Sequence, residues 1–323
     1  MRKFAHPLFL LVVLCSVQNI HAQLYVSNNY VYVADKYLYV KEDVNIQGTG
    51  DIFLRNQSQL LQAKIGSSAN AGAGKLSVFQ EGSATAFTYN YWCSPVGNSI
   101  TASGNESFGI TMLHQPTSAT ASTPAVMLSS HNGVSNPLGI AQGWIFKFLS
   151  SALYSEWIGV YNATTINPGE GFTMKGTAGT DATFTDAGIT NNPGNKQRYD
   201  FRGRPNDGDI TINLAAGKRT LTGNPYPSAI DLKAFLLSAT NSTGVAYFWE
   251  QDETVNSHNI AAYKGGYGTY SPVGGSSVAP YGTIGVYTPA VFYAYDGAGT
   301  QLGSVGVGSN YERRFCPIGQ GFM

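Results

Sequence analysis

The carboxylates that could perform acid–base work are Glu156 and the group Glu250, Asp252 and Glu253, which follows the aromatic run Val245–Trp249. Glycoside hydrolysis needs two carboxyl groups about 5–10 Å apart. The stretch Gln251 to Asn259 is polar throughout, the composition of a solvated loop. Asp207 and Asp209 flank Gly208 and could offer oxygens to a hard cation such as calcium. They lack EF-hand spacing and a closing Glu, and Asp-Gly is also the chemistry of a hairpin turn, so calcium stands behind the turn as an expectation. His114, His131 and His258 lie at no ligand spacing from one another or from a cysteine, which leaves a zinc site without support. There is no Gly-x-Ser-x-Gly elbow and no histidine in the setting of a nucleophilic triad. Neither Gly169-x-Gly171 nor Gly319-x-Gly321 leads into a helix or a Gly-Lys-Ser/Thr, so they are not phosphate loops. The sequence therefore predicts no catalytic residue, no cofactor and no metal centre. A strip of Tyr263, Tyr267, Tyr270 and Tyr281 among glycines could stack on sugar rings, or simply cover a sheet.

The chain of 323 residues carries 19 Lys+Arg against 19 Asp+Glu, and only 12% of it is charged. Scattered cations cannot displace counterions from a polyanion, which excludes a nucleic-acid partner. Arg2 and Lys3, the apolar run Leu8 to Val17 and the small residue Ala22 form an export signal cleaved after Ala22. That run is too short to span a bilayer, and no later stretch approaches the length needed. Cys15 as a lipid anchor is disfavoured by the bulky Leu14. Cleavage leaves Cys93 and Cys316. In an oxidising compartment the two could form one disulfide worth about 4–5 kcal/mol; two buried free thiols are the alternative.

With 38 Gly, 14 Pro, 20 Tyr and 16 Phe, the chain consists of short apolar runs between turns, the composition of an all-β protein. YVYV, YLYV, VNI and IFL within residues 24–62 alternate apolar with polar at regular breaks, which suits a small β-roll or solenoid-like stack, or else a meander. This stack with its linker occupies 23–74. Two β-sandwich-like units, 75–195 and 196–323, are expected to follow as a duplication. Three landmarks recur in order: Ser94-Pro95 and Asn224-Pro225, the aromatic runs Gly143–Phe148 and Val245–Glu250, and the Gly-x-Gly-Phe elements at Gly169 and Gly319. Tyr199–Gly203 is expected to turn at Pro205–Asp209 into a strand at Ile210–Leu214. One helix is expected at Ala229–Ser238, capped by Ser228, with Ile230, Ala234 and Leu237 inward.

Leu76–Gly82, Tyr89–Gly97, Leu221–Asp231, Tyr247–Trp249 and Gly319–Phe322 together resemble the repeat region of large cell-surface proteins of gliding-type Gram-negative bacteria. Those proteins leave through the type IX secretion system. The resemblance covers nearly the whole mature chain, and Gly-Asn-Pro-Tyr-Pro-Ser-Ala-Ile-Asp and Gly-Gln-Gly-Phe are its most specific elements. It implies a β-rich, adhesin-like protein at the cell surface or released from it, with no established catalytic residues to carry over; the expectation is an exported non-enzymatic module with glycans or other surface proteins as partners. Such proteins continue past Gly-Gln-Gly-Phe into a sorting domain that engages the secretion machinery, whereas this sequence stops at Met323. The second unit is accordingly expected to be truncated. A carbohydrate-binding sandwich and, behind it, a glycoside hydrolase are the alternatives.

Overall fold

The computed structural model of the chain describes residues 23–275, 277–278 and 282–323. The expected signal segment 1–22, with Cys15 and Ala22, lies outside the described residues. Strands dominate the described residues, and the fold is all-β. No helix among them is long and apolar enough to cross a membrane.

Alternation in the first segment produces β1 (Leu24–Ser27), β2 (Tyr30–Ala34), β3 (Tyr37–Val40), β4 (Val44–Gln47), β5 (Asp51–Arg55) and β6 (Gln59–Gln62). Leu24 pairs with Val44, Tyr30 with Asp51 and Tyr37 with Gln59, all in parallel. A meander would instead pair successive strands antiparallel. Val26, Val44, Ile46, Ile52, Leu54 and Leu60 point inward and are buried. The alternate positions Tyr25, Tyr30, Tyr32, Tyr37 and Tyr39 face solvent.

The next strand, β7 (Lys75–Gly82), adds parallel to β5, so the stack runs directly into a seven-stranded sheet. In that sheet Gln197–Pro205 lies antiparallel to β7, from Gln197 opposite Gly82 to Gly203 opposite Leu76. This corrects the expected boundary at 195/196, because the residues just beyond it form an interior strand of the first sheet. Pairing over so long a sequence separation leaves no local trace. Within the sheet the fully buried Arg55 donates to the Leu54, Ser77 and Ala119 carbonyls and lies 3.5 Å over the Phe79 ring. Burial, opposed by Asp200, lowers its pKa to about 10.

The recurring landmarks make similar pairings. In the first half β8 (Tyr89–Cys93) pairs antiparallel with Gly171–Lys175, Cys93 opposite Gly171 and Trp92 opposite Phe172. In the second half Gly223 stands opposite Gly321 and Thr222 opposite Phe322. The aromatic run flanks the Gly-x-Gly-Phe strand in both. Phe146 pairs with Thr173, and Tyr247 exchanges both backbone hydrogen bonds with Met323. Gly169 and Gly319 both take positive φ, +84° and +78°. The following glycines are required by close approach, since a Cβ would lie 2.6 Å from the Thr222 carbonyl at Gly171 and 2.8 Å from the Trp92 nitrogen at Gly321. The turns are held alike too. Ser94 Oγ accepts from the Val96 N–H, and Asn224 Oδ1 from the Tyr226 N–H. Asn206 joins the two turns, with Nδ2 donating 3.1 Å to the Ser94 and Pro225 carbonyls.

The second half carries a five-stranded sheet with Ala246–Gln251, Lys264–Ser271, Val291–Tyr295 and Gln301–Val307 in that order; Val286–Thr288 pairs beside Lys264–Ser271. Its helix α1 is shorter than expected, Leu232–Ser238, and the cap is Asp231, whose side chain accepts from the Ala234 N–H. Ile230–Asp231 cannot be helical because it pairs with Phe315–Cys316, and the buried face is Leu232 and Leu236. Ile210–Leu214 is no strand. Ile210 and Ile212 close over Gly169 without a strand to pair with, so alternating burial occurs there without a ladder.

Candidate functional site

The two halves meet along β8, whose side chains alternate as a strand dictates. Trp92 enters the first core against Tyr199 and Phe201, while Tyr89 and Tyr91 face the second half. Tyr91 lies parallel to Trp249, centroids 6.4 Å apart, and shares a 2.8 Å hydroxyl contact with Tyr267. Gln251 Oε1 accepts from both the Tyr89 N–H, at 3.1 Å, and Trp249 Nε1, at 2.9 Å. Beside this junction opens a cleft of about 700 Å³ with Gln80, Asn90, Trp249, Gln251, Tyr311 and Arg313 among its walls.

Each carboxylate at this cleft is held or solvated. Glu250 accepts from Tyr287 Oη and from the Ser309 N–H, 3.0 Å away. Gly268 and Gly308 leave the space for this, since a Cβ would clash with Tyr287 Oη at Gly268 and with the Glu250 carboxylate at Gly308. Glu81 is engaged by Arg198 at 2.7 Å and Lys196 at 3.2 Å. Burial raises its pKa, but hydrogen bonds from those two cations outweigh it, and the net shift is downward. Asp252 is also shifted down, by the Thr254 hydroxyl and N–H. Glu253 is exposed. A general acid would need the opposite shift.

Arg313 differs from the other cleft residues. Its guanidinium sits 4.4 Å from the Tyr311 ring centroid, 4.6 Å from Phe248 and 5.9 Å from Tyr287. Among the described residues it has no hydrogen-bonding or ion-pair partner, and its Nε is buried without an acceptor.

A second cluster clasps the halves together. Buried Lys175 lies 3.8 Å over Trp144 and 5.0 Å from Tyr89 and Tyr263. Its Nζ donates to Tyr263 Oη and, at 3.0 Å, to His258 Nδ1, while His258 Nε2 donates to Asn132 Oδ1 at 2.6 Å. No carboxylate among the described residues pairs with this ammonium, and burial lowers its pKa to about 7. His258, stacked on Trp144, is lowered by burial, Lys175 and His131.

The structure redistributes the residues singled out from sequence. Tyr263 and Tyr270 are buried, and the Tyr267 hydroxyl is paired with that of Tyr91, so these tyrosines form no exposed sugar-stacking strip. Tyr281 lies outside the described residues. Neighbouring rings fill the space at the intervening glycines: a Cβ at Gly265 would lie 2.7 Å from the Trp249 ring. The Asp207–Asp209 segment is no hairpin turn; Gly208 bridges to Ser67. Asp207 is buried, accepts from Gln62 at 2.9 Å, and its pKa is raised to about 6 by desolvation. No group of three metal-ligating side chains forms among the described residues, so Asp207 and Asp209 gain no third carboxylate for calcium. Cys93 and Cys316 are buried free thiols, with no disulfide between them. Burial raises both pKa values, that of Cys316 to about 12. His114 Nδ1 donates to the Met112 carbonyl, away from the cleft. Glu156, also apart from the cleft, accepts from the Ala152 and Leu153 N–H groups at 2.6 Å. Sequence reasoning missed Lys175 and Arg313, whose environments come from rings distant in the chain.

The model of a family described as a domain of unknown function (DUF8693) matches residues 13–322. Comparison with curated proteins and with solved structures found no match.

Proposed function

We propose that this chain, which belongs to the DUF8693 family, is an exported, non-enzymatic, adhesin-like surface module whose inter-half cleft binds a glycan. The observation that carries the binding reading is the cleft itself. It combines the partly exposed indole of Trp249 and the half-exposed ring of Tyr311, apolar surfaces against which a pyranose can pack, with the amide of Gln80 for its hydroxyls. The non-enzymatic reading is supported by the carboxylates: Glu250 is tied by two donors, and Glu81 and Asp252 are shifted away from acid catalysis. Export through a type IX route rests on the sequence resemblance. Its most specific elements, Gly-Asn-Pro-Tyr-Pro and Gly-Gln-Gly-Phe, lie together, with Gly223 opposite Gly321. The matching arrangement in the first half supports a duplicated origin.

A glycan array with the purified chain tests the binding reading. The expected result is a defined set of hits that Trp249→Ala reduces at least roughly tenfold, the effect of losing one stacked ring. Hits unaffected by Trp249→Ala would remove the cleft from the proposal. Turnover of an arrayed oligosaccharide, abolished by Glu250→Gln, would overturn the non-enzymatic reading.

A further inference from the structure

Among the described residues Arg313 is a guanidinium without an acceptor, at a cleft wall. Three ring contacts, to Tyr311, Phe248 and Tyr287, fix its plane and leave its N–H edge uncommitted. An arginine held by ring faces is pre-organised, so little side-chain entropy is lost when two parallel hydrogen bonds form to a planar pair of oxygens. The surroundings restrict which anion fits. Glu250 lies close enough to receive Tyr287 Oη beside the same ring, Glu253 is at the cleft and Glu312 is the next residue. A multiply charged phosphate would face this negative field, whereas a single carboxylate matches one guanidinium. Glu81 and Asp252 already have cations, Arg198 and Lys196 for the first and Lys264 for the second. Among the described acids and bases at the cleft, Arg313 is therefore the cation left for a ligand.

We propose that Arg313 is the anchor for the carboxylate of a uronate in the glycan, with the sugar ring beside the half-exposed Tyr311 wall of the same cleft. The inference rests on the glycan-binding reading and adds to it the class of sugar. It assigns Arg313 a specificity role, with the stacked rings supplying sequence-tolerant affinity.

Calorimetric titration of the chain with a uronate tetrasaccharide, its carboxyl-reduced neutral counterpart and a sulfated neutral tetrasaccharide tests this. The uronate should bind roughly tenfold to hundredfold more tightly than the reduced form, the range for a charge-assisted bidentate contact. Arg313→Gln should erase that difference while leaving the weak neutral binding, and Arg313→Lys should restore only part of it. The comparison of uronate with its reduced form uses the unaltered protein, so a variant that failed to fold would not obscure the answer. Equal binding of uronate and reduced sugar, or preference for the sulfated one, would overturn the carboxylate assignment and leave the glycan reading standing. Absence of binding to all three, with array hits also absent, would overturn both.

Discussion

Lys175 offers the most quantitative test of how the two halves are joined. Its ammonium is buried among Trp144, Tyr89 and Tyr263 with no acid partner among the described residues, and burial brings its pKa from 10.5 to about 7. Between those values the unfolded chain keeps a proton that the folded chain has lost, so stability must climb as pH rises. Over the interval from about pH 7 to about pH 8.5 the climb is at most about 2 kcal/mol, with the ring faces returning part of it by favouring the charged form. The window lies above the ordinary histidine range, which removes His258, and below that of tyrosine. Urea unfolding followed by tryptophan fluorescence should show the midpoint moving upward across it. Lys175→Met keeps the packing volume and removes the titration, so its midpoint should stay flat. A wild-type midpoint that is constant or falls, or a Lys175→Met variant that keeps the wild-type slope, would refute the reasoning.

Two further predictions concern buried polar groups. Asp207 has its pKa raised by desolvation from 3.8 to about 6, so it favours the fold when protonated and opposes it as pH rises through that range; Asp207→Asn should therefore stabilise by about 1–3 kcal/mol at neutral pH. Thermal unfolding checks this, and a melting temperature that rose on adding calcium to the wild type, or fell in the variant, would contradict it. Asn206 spans the two Pro-rich turns, and Asn206→Ala would leave the Ser94 and Pro225 carbonyls without their donor, a loss of about 2–4 kcal/mol in urea denaturation. A loss below about 0.5 kcal/mol, the range of an ordinary surface change, would show that the turns do not depend on the bridge.

Local patterning carried the strand alternation of 24–62, because a period of two with tyrosines on one side shows in the residues alone. The Pro-rich turns and Gly-x-Gly-Phe elements could be matched in sequence because backbone contact at Gly171 and Gly321 leaves no room for a side chain. What sequence could not convey was contact between distant segments. Gln197–Pro205 looks like the start of a second unit until its pairing with β7 is seen. The tyrosines of Lys264–Ser271 look exposed among glycines, yet those glycines receive the rings of Trp249 and Tyr287. A solvent-facing row of tyrosines lies instead on β1 to β3, from Tyr25 to Tyr39. Ser228 resembles a cap, but pairing of Ile230–Asp231 with Phe315–Cys316 delays the helix to Leu232. Lys175 and Arg313 have no motif, because the rings around each come from several parts of the chain.

The most direct test of glycan binding at the inter-half cleft is a crystal structure of the chain with an oligosaccharide identified on the array. The sugar should lie intact between Trp249 and Tyr311 with an oxygen pair on Arg313. An empty cleft with the ligand on the exposed tyrosines of β1 to β3, or a cleaved product beside Glu250, would contradict the proposal.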